Sequence, residues 1–295
     1  MIFTQETTRT ALRVSAVTIL VNLALSLGKL AAGVLAHSGA MVSDAVHSAS
    51  DVFSTLVVIV GVKLSGREAD RDHPYGHERL ECVAAILLSV VLLITGLFIG
   101  WEGVRKILRA GEETLAVPGL PALAAAGVSI AVKEAMFWFT RHFARETDSP
   151  ALMADAWHHR SDALSSVGAL VGIAGARMGY PILEPVASLV ICLFILKAAY
   201  DIFREAVSKM VDRSCSEETE KAIEQCALEQ DKVLGVDLIH TREFGSRIYV
   251  DIEIRADGDL SLRESHEVAE QVHNAIEERF EKVKHIMVHV NPTEA

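Results

Sequence analysis

Two nine-residue stretches carry the residues able to do chemistry: "SDAVHSASD" at 43–51 and "ADAWHHRSD" at 154–162. Asp44, His47 and Asp51 in the first match Asp155, His158 and Asp162 in the second. On a helix, positions i, i+3 and i+7 share a face, so each copy forms one polar stripe. Acids and histidines are expensive in apolar surroundings, about 2.5–3.5 kcal/mol each at mid-bilayer on insertion scales. Two matching His-x-x-x-Asp pairs point to a metal site rather than a hydrogen-bonded helix contact. His47, Asp51, His158 and Asp162 make an N2O2 tetrahedral set suited to Zn²⁺. Their two carboxylates balance the +2 charge. Emptied, the set holds two repelling acids and two bases, so loading must release whatever protons the empty site held.

These residues need elements that carry them into the bilayer. The chain has 295 residues, 51% of them hydrophobic, which suggests a membrane protein. Six segments are long and apolar enough to span: 11–33, 40–64, 81–108, 117–141, 151–178 and 183–207. The third is the clearest, with "CVAAILLSVVLLITGLFIGW" free of charge. The second and fifth carry the polar stripes, which leave their other faces lipid-compatible. Arg9 and Arg13 lie at the start of the first span. Lys63, Arg67, Arg71 and Arg79 mark the second connection, Arg141 and Arg145 the fourth, and Arg204, Lys209 and Arg213 follow the sixth. The positive-inside rule then places both termini in the cytoplasm, with Lys106 and Arg109 in mild dissent.

Residues 1–210 carry 18 Lys and Arg against 19 Asp and Glu, whereas 211–295 carry 10 against 20. Nearly all of the net charge of −11 therefore lies in the last stretch. We expect a membrane domain over 1–210 and a small acidic soluble domain over 211–295. Its acidity disfavours nucleic acid and anionic surfaces and favours cations. "SEETEKAIEQCALEQ" predicts a helix capped by Ser216, with Glu218 and Glu220 in its first turn. "VDLIHTREF" and "SRIYVDIEIRA" predict strands joined at Gly245-Ser246, "SLRESHEVAEQVHNAIEERF" a second helix and "HIMVHV" a last strand. The order αββαβ predicts a two-layer α+β domain, small enough for dimerisation or metal to help hold it. Cys82, Cys192, Cys215 and Cys226 form no CxxC and no disulfide-like framework, and the two in apolar segments read as small hydrophobes.

The two stripes, the six spans and "DRDHPYGHERLE" at 70–81 resemble the cation diffusion facilitator family of divalent-metal/proton antiporters, over nearly the whole chain. The resemblance implies transport at His47, Asp51, His158 and Asp162. It implies a second site at Asp70, His73 and His77, which Pro74 and Gly76 make a loop. It also implies a ferredoxin-like cytoplasmic domain with metal positions at His240, His266 and His289. Asn291 stands where relatives have an acid able to bridge two ions, which speaks against a two-metal cluster. Asp44 and Asp155 are expected behind the ligands or on the access path. Arg79 is expected to pair with Asp212. His159, His273 and His285 read as surface or connector histidines, and Lys29 and Lys133 as residues that snorkel or pair.

The expectation is a homodimer in the cell (inner) membrane, expelling Zn²⁺ in exchange for H⁺, with Zn²⁺ as substrate and regulatory ion. Fe²⁺, Mn²⁺, Co²⁺ and Cd²⁺ are the alternative cargoes. An intramembrane zinc hydrolase needs three ligands and a general base, as in HExxH, and no HExxH occurs. A metal sensor lacks an appended signalling domain in this sequence.

Overall fold

A computed structural model of the chain describes residues 2–35, 39–108, 120–178, 180 and 182–293. The side chains of 32–50, Asp44 and His47 among them, lie outside the described residues, as does the third connection from Arg109. Two compact units divide the chain, one from Gln5 to Val207 and one comprising Ser208–Ala295 together with Met1–Thr4.

The first unit is all helix: α1 (Ile2–Leu35), α2 (Gly39–Ser65), α3 (Arg79–Leu108), α4 (Leu120–Glu146), α5 (Pro150–Arg177) and α6 (Leu183–Met210). The shortest has 27 residues, about 40 Å at 1.5 Å per residue, which exceeds the ~30 Å hydrocarbon core. Thr8–Ala31 and Arg79–Leu108 are apolar enough to span on composition alone, with mean hydropathy 1.7 and 2.9. Among the described residues, Ser54–Ser65 of α2 is a further, shorter apolar stretch. On α3 the faces separate cleanly. Leu87, Ile94, Leu97, Phe98 and Trp101 point outward, while Ala85, Leu88, Leu92, Gly96 and Gly100 are buried. An outward face this apolar suits lipid, and the inward small residues let helices approach closely. A Cβ on Gly100 would sit 2.6 Å from Cys192 Sγ on α6, and one on Gly61 of α2 would sit 2.4 Å from Ala84 Cβ on α3. The bundle core joins α4 to α5, α2 to α3, and both α2 and α3 to α5.

The second unit has the expected αββαβ order: α7 (Glu217–Leu228), β1 (Gly235–Phe244), β2 (Arg247–Asp257), α8 (Leu262–Arg279) and β3 (Val283–Thr293). Ser216 caps α7, its hydroxyl accepting from Thr219 N. Ser261 and Glu264 form a reciprocal capping box at the start of α8. Gly245, at φ 66°, makes the tight turn between β1 and β2. The sheet order is β1-β2-β3, antiparallel then parallel. Alternation in β2 buries Val250, Ile252 and Ile254 against Ile223, Cys226, Val268, Val272 and Ile276 of the helices. The residues between them, Asp251, Glu253 and Arg255, turn to the sheet's other face. All four cysteines are free and buried.

Candidate metal centre

Asp51 comes from α2 and His158 and Asp162 from α5, where their i, i+4 spacing puts both on one face. All three lie at or below 8% exposure. One donor atom from each falls within 4.8 Å of the others. His158 Nε2 lies 3.7 Å from Asp51 Oδ1 and 4.0 Å from Asp162 Oδ2. Ser54 Oγ, one turn along α2 from Asp51, is 3.2 Å from the same imidazole nitrogen. Three of the four expected donors are therefore gathered. The fourth, His47, occupies α2 four residues before Asp51, and its side chain lies outside the described residues.

Two neighbours of this cluster, Lys133 and His159, add to its surroundings. Lys133 of α4 is buried and donates hydrogen bonds to Asp51 Oδ2 and, at 2.9 Å, to Asp162 Oδ2. It pairs, as expected, but with both acids of the site at once. His159 is no surface or connector residue. It is fully buried, its Nε2 3.5 Å from Asp155 Oδ2. The doublet His158-His159 thus belongs to two interleaved i, i+4 pairs, rotated about 100° apart on α5. Asp155 also accepts from Thr55 Oγ1 of α2 at 3.3 Å, which ties the two stripe-bearing helices together.

Asp70, His73 and His77 form a second cluster in the connection between α2 and α3, again with donors within 4.8 Å. Pro74 and Gly76, the latter at φ 98°, fold this segment back as a loop. His73 and His77 rings stand 4.4 Å apart, and Asp70 Oδ2 is 3.5 Å from His77 Nε2. The amide of His73 donates to Asp70 Oδ1 at 2.7 Å and that of Asp72 at 3.0 Å. Chiefly through the His73 amide, the Asp70 carboxyl is held below its usual range. His73 and Asp70 are exposed, so this cluster opens to water.

The expected set His240, His266 and His289 does not come together within one chain. His240 on β1 faces Asp251, and His289 on β3 faces Glu253. Two strands across and two residues along, they stand about 12 Å apart. His266 lies on α8 and meets Glu270 at 3.7 Å. Two acids outside the expected set lie on the same sheet: Glu253 is the register neighbour of His289, and Asp237 is joined to Glu253 through Asn291. Asn291 Nδ2 donates to Asp237 Oδ2 and Glu253 Oε2, both at 3.1 Å, and Arg255 Nε meets Asp237 Oδ1 at 2.9 Å. The period-2 alternation of β2 was the signal for Glu253. Asp237 sits where the β1–β2 register slips between Val236 and Leu238, which no local pattern announces. His240 lines a separate cavity of about 410 Å³ with Asp212, Glu220 and Asp251.

Residues 15–211 match the cation efflux transmembrane domain, and 215–293 match the cytoplasmic domain of cation efflux proteins. An uncharacterized transporter of Methanocaldococcus jannaschii is 34% identical over 92% of this chain and 94% of its own length. Manganese efflux system protein MneP of Bacillus subtilis is 28% identical over 95% of each. Metal tolerance protein C1 of Arabidopsis thaliana is 32% identical over 92% of this chain, which spans 60% of that protein's length. With both domains matched in order along the chain, the protein belongs to the cation diffusion facilitator, or cation efflux, family of divalent-metal transporters.

Proposed function

We propose that the protein is a homodimeric antiporter of the cell membrane, with both termini cytoplasmic, that expels Zn²⁺ from the cytosol in exchange for H⁺. The observation that carries this reading is the convergence of Asp51, His158 and Asp162 from two helices. Tetrahedral Zn²⁺ at 2.0–2.1 Å from each donor needs donor pairs about 3.3 Å apart. The separations of 3.7 and 4.0 Å require shifts of only tenths of an ångström. His47, sharing the Asp51 face of α2, supplies the fourth ligand. Two carboxylates neutralise the divalent ion. The imidazole nitrogens favour Zn²⁺ over Mn²⁺, which prefers oxygen. Protons returning to the emptied bases and acids displace the ion, which couples the two fluxes.

Asp70, His73 and His77 serve as a cytoplasmic loading site for the same ion. Residues 1–210 form the transport domain, and 211–295 the dimerising domain, where metal at the sheet face tunes transport. The test is uptake into proteoliposomes with competing divalent ions and a pH dye in the lumen. Zn²⁺ should enter preferentially while the lumen turns alkaline. Preferential Mn²⁺ uptake would move the cargo to that of the manganese-named relative. Uptake without a pH change would remove the antiport.

A further inference from the structure

Lys133 is a buried ammonium in a membrane-spanning helix, so it must have counter-charge. One acid anywhere along the bundle would satisfy that need. Instead its Nζ hydrogen-bonds the Oδ2 atoms of Asp51 and Asp162, one from α2 and one from α5. These are the two carboxylates of the proposed transport site. A Zn²⁺ held beside His158 by Asp51 Oδ1 and Asp162 Oδ2 would lie about 2.0–2.2 Å from an oxygen that Lys133 already occupies, Asp162 Oδ2, and on the carboxylate whose other oxygen, Asp51 Oδ2, the lysine also holds. Ion and ammonium cannot share that place. They would crowd three positive charges against two negative ones at near-contact distance.

We infer that Lys133 is a tethered stand-in for the metal: it occupies the two carboxylates when the site is empty and withdraws when a divalent ion enters. This rests on the reading of Asp51 and Asp162 as metal ligands. Three consequences follow from the charges. Without the lysine, the two buried carboxylates of the empty site would have only returning protons to compensate them, a costly state for a carrier that must turn over empty. With it, that cost falls. A tethered cation also re-engages at high effective concentration, so it speeds release of the ion it replaces. Finally, a monovalent ion gains nothing by trading one charge for another, whereas a divalent ion gains a second attraction. The lysine therefore filters by valence before ligand chemistry filters by metal.

The test is Zn²⁺ uptake by the full chain in proteoliposomes, with KM and kcat read separately for Lys133→Met, Lys133→Arg and Asp162→Ala. For Lys133→Met, loss of the competitor should lower KM about tenfold, the order of an ordinary coupling between sites, and lower kcat because release slows. For Lys133→Arg, charge is kept, but the fork grips both carboxylates more firmly, so KM should rise about tenfold. A merely structural lysine would show parental KM in the arginine variant, and that result overturns the inference. Should Lys133→Met fail to insert, the arginine variant decides alone. Asp162→Ala separates the two levels. If it transports normally, the metal-site reading falls and the stand-in with it. If it is dead while both lysine variants keep parental KM, only the stand-in falls.

Discussion

His158 and His159 show what a single residue's neighbourhood decides. They are adjacent in sequence, yet one faces Asp51 and Asp162 while the other is packed against Asp155. The i, i+4 rule made the His158–Asp162 pair legible. It applies equally to Asp155–His159, but spacing alone does not say that this second face of α5 is closed to solvent. Each carboxylate of the proposed site supplies half the charge that balances a divalent ion. We therefore expect Asp51→Ala and Asp162→Ala each to reduce Zn²⁺ uptake at least a hundredfold while the protein still inserts. Uptake by purified variants in vesicles checks this, and near-parental rates would remove those residues from the site. In the loop, Asp70 titrates below its usual range because the His73 amide donates to it. A depressed folded-state value means the contribution is fully present above the ordinary carboxylate range and is lost as pH falls through the lower value. Protection of the His73 amide in hydrogen exchange, corrected for intrinsic rate, should thus hold constant from pH 7 to about 5 and disappear only at lower pH. A loss of protection already near neutral pH would show that another group holds the loop.

At the scale of elements, the helices themselves were readable and their partners were not. Charge-free runs and the 3.6-residue stripes locate α2, α3 and α5 to within a few residues of their observed ends. Which helix lies against which depends on shape complementarity between distant segments. Lys133 therefore reads as a generic pairing lysine until α4 is set against α5 and its ammonium reaches across to α2. Gly61 is a similar case. A glycine within an apolar helix looks unremarkable, yet a Cβ there would stand 2.4 Å from Ala84 Cβ. That neighbour is fixed to the α3 backbone and cannot rotate away. Gly61→Ala should force α2 and α3 apart and cost about 1–3 kcal/mol, as overpacking usually does. The effect should also reach function, because α2 carries Asp51. A lower thermal midpoint in detergent together with impaired Zn²⁺ uptake is the expected result. Parental values for both would mean that the two helices slide past each other at little cost.

For the whole molecule, the abrupt change from near-neutral to acidic composition marks two physically different solvents along one chain. The bundle turns leucine and phenylalanine outward, whereas the second unit closes its own core of Ile223, Val250, Ile252, Ile254, Val272 and Ile276. A core of that kind, with both helices capped, should let residues 208–295 fold without the bundle. The order of elements in this unit followed from alternation and caps. The polar grouping on its open face did not, since it needs three strands in register and an irregularity beside Asp237. Register places His289 next to Glu253, with Asn291 bonded to Asp237 and Glu253, while His240 stands in another row near Asp251. Asn291 supplies an amide where a carboxylate would add charge, which disfavours a bridged pair of ions and leaves the register neighbours Glu253 and His289 as the donors a single ion would use. Metal bound by the isolated unit should accordingly depend on Glu253 and His289 and be indifferent to His240. Calorimetric titration of the 208–295 fragment with Zn²⁺ can decide this. We expect one weak site per chain, lost in Glu253→Ala and His289→Ala and retained in His240→Ala. Loss of binding in His240→Ala, with the other two variants unaffected, would transfer the site to the cavity that His240 shares with Asp212, Glu220 and Asp251.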